Sequence, residues 1–171
     1  MIQRITIKPD QYKASSTGSD IVLSDEQLHY LHRVLRLGSG DRFIAQDGKG
    51  KQWLAELCDL LTTAKVIEQI EGHTESCSAP LRLVAALPKG NSFDQVVRQA
   101  TELGGSHIYP VLSERTLLKP GSNKYLRWQK IAEEASEQSE RITVPEIAEP
   151  VAFRALLKQQ KWKGLRYVCA A

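Results

Sequence analysis

The sequence predicts an α/β protein: a small N-terminal β-barrel followed by an α/β unit with a mainly parallel sheet. Three observations carry this prediction. The first 70 residues hold short segments with alternating or β-branched patterns, interrupted by one helical stretch. Beyond residue 80, continuous apolar runs alternate with helical patterns, as strands buried on both faces and their crossover helices do. Between them lies EGHTESCSAP (71–80), small, polar and closed by proline, which reads as a linker. The expected division is 1–72 for the barrel, 73–80 for the linker and 81–171 for the α/β unit.

In chain order, RITIKP, DIVLS, DRFIAQD, KQWLAELCDL and TTAKVIEQI read as strands, with DGKG at 47–50 as a hairpin turn. A helix is expected over 25–37. Ser24 is its N-cap, Gln27 completes a capping box, and Gly38 stops it. Its inward residues are Leu28, Leu31, Val34 and Leu35. LRLVAAL then reads as a buried parallel strand and PKGNS as a turn. A helix over 91–103 follows, with Phe93, Val96, Val97, Ala100 and Leu103 on one face and Gly104 ending it. HIYPVL is the next strand. A helix over 124–138 turns Tyr125, Trp128, Ile131 and Ala135 inward, and a third helix, 151–160, follows Pro150. LRYVCAA closes the chain with another strand pattern. A sheet edge this exposed leads us to expect the N-terminal part of a longer protein.

An apolar fraction of 42% and a charged fraction of 25% over 171 residues are those of an ordinary globular protein. No apolar run approaches the ~18 residues of a membrane helix. MIQRITIKPD puts charges where a signal peptide has its apolar core, so a cytoplasmic protein without membrane partners is expected. Cys58, Cys77 and Cys169 are few, distant and odd in number, which excludes a disulfide framework and a paired C-x-x-C zinc site within the chain. The formal charge of +3 is unevenly spread. Residues 1–79 carry 9 Lys/Arg against 11 Asp/Glu, and residues 80–171 carry 14 against 9. That balance permits a polyanionic partner.

Four places could carry chemistry. On the helix at 25–37, His29, His32, Arg33 and Arg36 fall at i, i+3, i+4 and i+7. This is a basic stripe able to neutralise phosphates, or else a solvated polar face. The two histidines lack a third ligand nearby, so no metal is expected. The turn PKGNS sets Lys89 and Gly90 at the carboxyl end of a parallel strand and the start of a helix, where anions bind. Its spacing is not that of a P-loop. Ser113, Glu114 and Arg115 follow the next strand and should neighbour that turn. In EEASEQSER, Glu137 and Arg141 are spaced to pair. Asp94, Arg98 and Glu102 form a similar ladder one helix earlier. G-x-G-x-x-G, G-x-S-x-G and H-E-x-x-H are absent.

LPKGNSFDQVVRQATELGGSHIYPVLSERTLLK and RWQKIAEEASEQSERITVP closely resemble the RsmE family, SPOUT-class enzymes that use S-adenosylmethionine to methylate N3 of a uridine in 16S rRNA. HYLHRVLRLGSGDRFIAQDGKG resembles that family's PUA-like RNA-binding barrel. The resemblance implies RNA contacts by Arg4, His29, Arg33, Arg36 and Lys89. It makes Lys89, Glu102 and Arg115 the substrate-orienting candidates, supported by Ser113, Glu114, Arg127, Glu137 and Arg141. It also implies a homodimer for the full-length enzyme and the small ribosomal subunit as partner. Gln99 and Glu140 depart from the family pattern. The family's C-terminal trefoil knot, with its G-P-E-G-G-type loop, is missing. The SPOUT-type domain is therefore expected to be incomplete, without cofactor-binding residues and inactive alone. The competing reading is an RNA-binding module that catalyses nothing.

Overall fold

The computed structural model describes residues 2–12, 17–59, 62–71, 80–114, 116, 120–159 and 162–169. Five strands form the N-terminal sheet: β1 (Arg4–Thr6), β2 (Asp20–Val22), β3 (Arg42–Gln46), β4 (Gln52–Leu57) and β5 (Thr63–Ile70). Their order is β1-β3-β4-β5-β2, with β1 parallel to β3 and the other pairs antiparallel. Period-two alternation turns Ile5, Ile21, Phe43, Trp53, Ala55, Leu57 and Val66 into one core. A register shift between Leu54 and Ala55 bends the β4–β5 pair, as a bulge does. At the expected hairpin turn, Asp47 Oδ1 accepts from the amides of Lys49 (2.8 Å) and Lys51 (3.0 Å).

The capping box holds. Ser24 Oγ accepts from Gln27 N at 3.4 Å, and Gln27 Oε1 accepts from Ser24 N at 2.8 Å. The helix beyond it differs from the expectation. α1 spans only Asp25–His29 and widens into a π-turn over Tyr30–Val34, where Leu35 N donates to Tyr30 O at 2.9 Å. Arg36, not Gly38, takes the left-handed terminating conformation, at φ 58°. The wider turn shifts every later side chain around the axis. Leu31 is buried, but Val34, expected inward, is 57% exposed.

The C-terminal half is built from β6 (Arg82–Ala86), α2 (Ser92–Glu102), β7 (His107–Leu112), α3 (Ser122–Gln138), β8 (Glu146–Ile147), β9 (Val151–Ala152) and α4 (Phe153–Gln159). All strand pairs here are parallel: β6 lies on one side of β7, while β8 and β9 lie on the other. Phe93, Val97, Ile108, Trp128, Ile131, Ala132 and Ile147 form the core. Four expectations are corrected. β6, expected as a buried strand, stands at the end of the sheet order with none of its residues buried. Leu103 lies past the last turn of α2 and is 79% exposed. Val151 and Ala152 pair with β7, so the third helix begins only at Phe153. Residues 165–169, expected as a strand, form none, and Leu165, Tyr167 and Val168 are exposed. A strand requires a partner, and an apolar pattern does not supply one. The linker residues 73–79, Cys77 and Gln160 lie outside the described residues.

The halves meet along a seam between the β3–β4 turn and the loop after α3. Gly50 N donates to Ile142 O (3.0 Å), Val144 N donates to Gly48 O (2.8 Å), and Lys49 and Thr143 form an antiparallel bridge. Gly48 sits at φ 66°, where a Cβ would come within 2.9 Å of Val144 Cγ2. Thr6 N donates to Glu137 Oε1 at 2.6 Å, and Arg4 pairs with Glu140 at 3.1 Å. No helix among the described residues is long and apolar enough to cross a membrane.

Candidate functional site

The structure sorts the sequence-derived candidates into three places. The first is the solvent side of α1 and its π-turn. His29, Arg33 and Arg36 are exposed there. His32 is half-buried, and its Nδ1 lies 2.7 Å from Leu37 O, tying the ring to the turn that follows. The stripe is therefore not the straight i, i+3, i+4, i+7 row expected from an α-helix. Its cations spread around a widened, left-handed terminus.

The second place is the carboxyl edge of the parallel sheet. Pairing of Ala86 with Val111, and of Leu87 N with Val111 O (3.0 Å), brings the Lys89 turn beside Ser113 and Glu114, as expected. Arg115 lies outside the described residues. Glu114 faces Arg154 at 3.5 Å with both side chains fully in solvent, a pair too screened to brace anything. Arg127 reaches this edge from α3, where its Nε donates to Asp94 Oδ2 at 2.8 Å. Trp128 Nε1 donates to Asp94 Oδ1 at 3.1 Å, and Lys124 Nζ donates to Gly90 O at 2.6 Å. Asp94 thus joins α2 to α3 instead of forming the expected ladder with Arg98 and Glu102.

The third place is the opposite edge and the junction between the halves. α2 runs antiparallel to the strands. Glu102, at its far end, is therefore roughly 16 Å along the helix from the Lys89 turn. The structure does not bring Glu102 to Lys89. Arg141 Nη1 donates to Glu102 O at 3.3 Å and packs against Gly104, and Glu137 reaches Thr6 across the junction. Glu137 and Arg141, expected to pair, each make contacts with other segments. Arg4, expected at an RNA surface, has a side chain only 16% exposed and braces the junction through Glu140. Sequence spacing identified the residues but not their partners, which lie 39 positions away for Arg141 and Glu102 and 131 for Glu137 and Thr6.

A groove of about 790 Å³ opens between the halves, with Val22, Gln27, Tyr30, Leu126, Lys130 and Glu133 among its lining residues. Glu26 and Lys130 form an ion pair across it. Burial raises the carboxyl pKa of Glu133, against the pull of Lys8 and Lys130. Burial also raises that of Glu137, against the hydrogen bonds from Thr6. A raised carboxyl pKa favours the protonated folded protein. The contribution of Glu137 to stability is therefore fullest below the ordinary carboxylate range and is lost as pH rises through the raised pKa. Glu137→Gln keeps an oxygen for Thr6 N and removes the buried charge. We expect it to raise the melting temperature by a few degrees at neutral pH. The gain should shrink in mildly acidic buffer, as read by differential scanning fluorimetry. A loss of stability of equal size at both pH values would refute this.

No group of three or more metal-ligating side chains occurs among the described residues. An adenosine and a sulfonium need an enclosed cradle, but Lys89, Gly90, Ser113 and Glu114 at the carboxyl edge are all exposed. The described residues therefore do not fit S-adenosylmethionine on their own.

Comparison with known proteins adds to this geometry. Residues 74–171 match a family model described as an RNA methyltransferase domain, and residues 23–60 match an RNA methyltransferase PUA domain. The chain is 45% identical over 154 residues to ribosomal RNA small subunit methyltransferase E of Synechocystis, covering 90% of this chain and 49% of that protein. It is 30% identical over 145 residues to the Bacillus subtilis protein of the same name, covering 81% of this chain and 57% of the other. It thus spans about half the length of the curated relatives it matches. The Neisseria gonorrhoeae ribosomal RNA small subunit methyltransferase E, solved with S-adenosyl methionine, superposes with a TM-score of 0.82 at 28% identity. That match covers 94% of this chain and 66% of the other. A methyltransferase of Legionella pneumophila, also solved with that cofactor, gives 0.83 at 25% identity, covering 94% and 67%.

Proposed function

Since this chain belongs to the RNA methyltransferase family, we propose that it supplies the RNA-gripping part of an enzyme that methylates N3 of a uridine in 16S rRNA of the small ribosomal subunit, with S-adenosylmethionine as donor. The names of its relatives and the cofactor held by its structural neighbours support that assignment. Residues 1–72 act as the RNA-positioning unit, and 81–171 carry the substrate edge of a methyltransferase that works in the cytoplasm as a homodimer.

One observation carries the RNA-facing role. Arg36 holds a left-handed backbone at φ 58°, a conformation that costs an ordinary residue about 1–2 kcal/mol, and its side chain is exposed beside exposed Arg33 and His29. Strain kept at a position where glycine would be more comfortable points to a needed side chain. Phosphates draw the cations, and the planar guanidinium of an arginine can stack on an unpaired base. At the carboxyl edge, Lys89 is the group to hold uracil. Uracil N3 carries a proton whose pKa lies well above neutral, so a nearby cation that favours the deprotonated ring helps the reaction. In the whole enzyme, S-adenosylmethionine would supply the methyl group. The exposed carboxyl edge does not enclose that cofactor, which supports RNA binding as the role of the described residues.

Two measurements test this. A short uridine-containing single-stranded RNA should bind with an affinity that falls steeply as salt is raised. Calorimetry with S-adenosylmethionine should give no heat of binding, and a stoichiometric isotherm would overturn the account of the donor half.

A further inference from the structure

We infer that Lys124 is a positioning residue for Lys89, holding in place the turn that carries it, with Asp94 as the second anchor of the same clamp. The turn over 88–91 joins β6 to α2 at the carboxyl edge. Its residues are exposed, and Gly90 takes φ 79°. No core side chain weighs on it. Its fixed points are polar: Lys124 Nζ donates to Gly90 O at 2.6 Å, while Arg127 Nε and Trp128 Nε1 donate to the two oxygens of Asp94 at 2.8 Å and 3.1 Å. Positions 124, 127 and 128 share one face of α3, so the first two turns of that helix present three donors to one short segment. Asp94 is largely shielded, with its side chain 15% exposed, and stands in the first turn of α2, directly after Lys89 and Gly90. The register of α3 therefore sets where the Lys89 ammonium stands. An ionic donor on a main-chain carbonyl is among the stronger neutral–charged contacts available for this.

The inference rests on the reading of Lys89 as an RNA contact, and the test separates the two. The 171-residue chain is compared as wild type, Lys89→Ala, Lys124→Met, Lys124→Arg and the Lys89→Ala/Lys124→Met double variant. Affinity for a short uridine-containing single-stranded RNA is followed across a salt series, together with amide hydrogen exchange over 89–92. Lys89→Ala should weaken binding about fivefold at 0.1 M salt and make the salt dependence shallower by about 0.7. Lys124→Met should do the same and speed amide exchange, Lys124→Arg should restore both, and Lys89→Ala should add nothing to Lys124→Met. Additive losses with unchanged exchange would make Lys124 a phosphate contact in its own right and overturn the inference. If Lys89→Ala alone leaves binding unchanged, the RNA role of Lys89 fails, and the exchange data then decide the clamp by themselves.

Discussion

Trp128→Ala should remove about 3–5 kcal/mol of stability from the C-terminal half, the largest effect expected of any single substitution here. Trp128 is 1% exposed, packs its ring against Phe93 at a centroid distance of 4.7 Å and donates its Nε1 hydrogen to Asp94. Truncation opens a cavity between α2 and α3 and leaves Asp94 with Arg127 alone. Native domains are stable by only about 5–15 kcal/mol, so this half should lose its near-ultraviolet circular dichroism at far lower urea. Trp128→Phe keeps most of the volume and loses the hydrogen bond, which costs about 1 kcal/mol. If the two variants unfold at the same urea concentration, ring volume is not what holds α2 to α3.

Arg36→Gly should move stability and RNA binding in opposite directions. Glycine relieves the left-handed backbone and stabilises the fold by up to about 1 kcal/mol, part of it offset by the extra freedom of the unfolded chain. Loss of the cation should weaken single-stranded RNA binding about fivefold at 0.1 M salt and make its salt dependence shallower by about 0.7. Arg36→Ala removes the same charge but keeps the strain, so it should bind equally poorly without the gain in stability. Adding Arg33→Ala to either should bring the loss to roughly twenty-five-fold if the two contacts act independently. Fluorescence anisotropy over a salt series, with urea unfolding of each variant, reads both quantities. An unchanged salt slope in Arg36→Gly would remove this terminus from the RNA surface.

Much of the architecture was legible because it depends on local chemistry. The Ser24–Gln27 box, the Asp47–Gly50 turn, the apolar runs of β6 and β7, and the inward row of α3 each announce themselves within a few residues. The π-turn was not legible. Its pattern over 25–37 is that of an α-helix, and no residue in it marks the extra one that enters the turn. The same limit applies to the site. Ser113, Glu114 and Lys89 could be grouped because strand ends of a parallel sheet are neighbours. Glu102 stands apart from them at the far end of α2, and a motif resemblance carries no direction along that helix. The partners of Arg4, Glu137 and Asp94 come from distant segments and left no local trace.

The seam between the halves is written largely in main-chain atoms: Gly48 O, Gly50 N, Ile142 O and Val144 N. Away from Gly48, where a Cβ would meet Val144, drift in side chains leaves such a joint almost untouched, because every residue except proline brings the same amide and carbonyl. The pose of the two halves can therefore outlast wide divergence in their surfaces, and proline at 50 or 144 would deprive the main-chain joint of a donor outright.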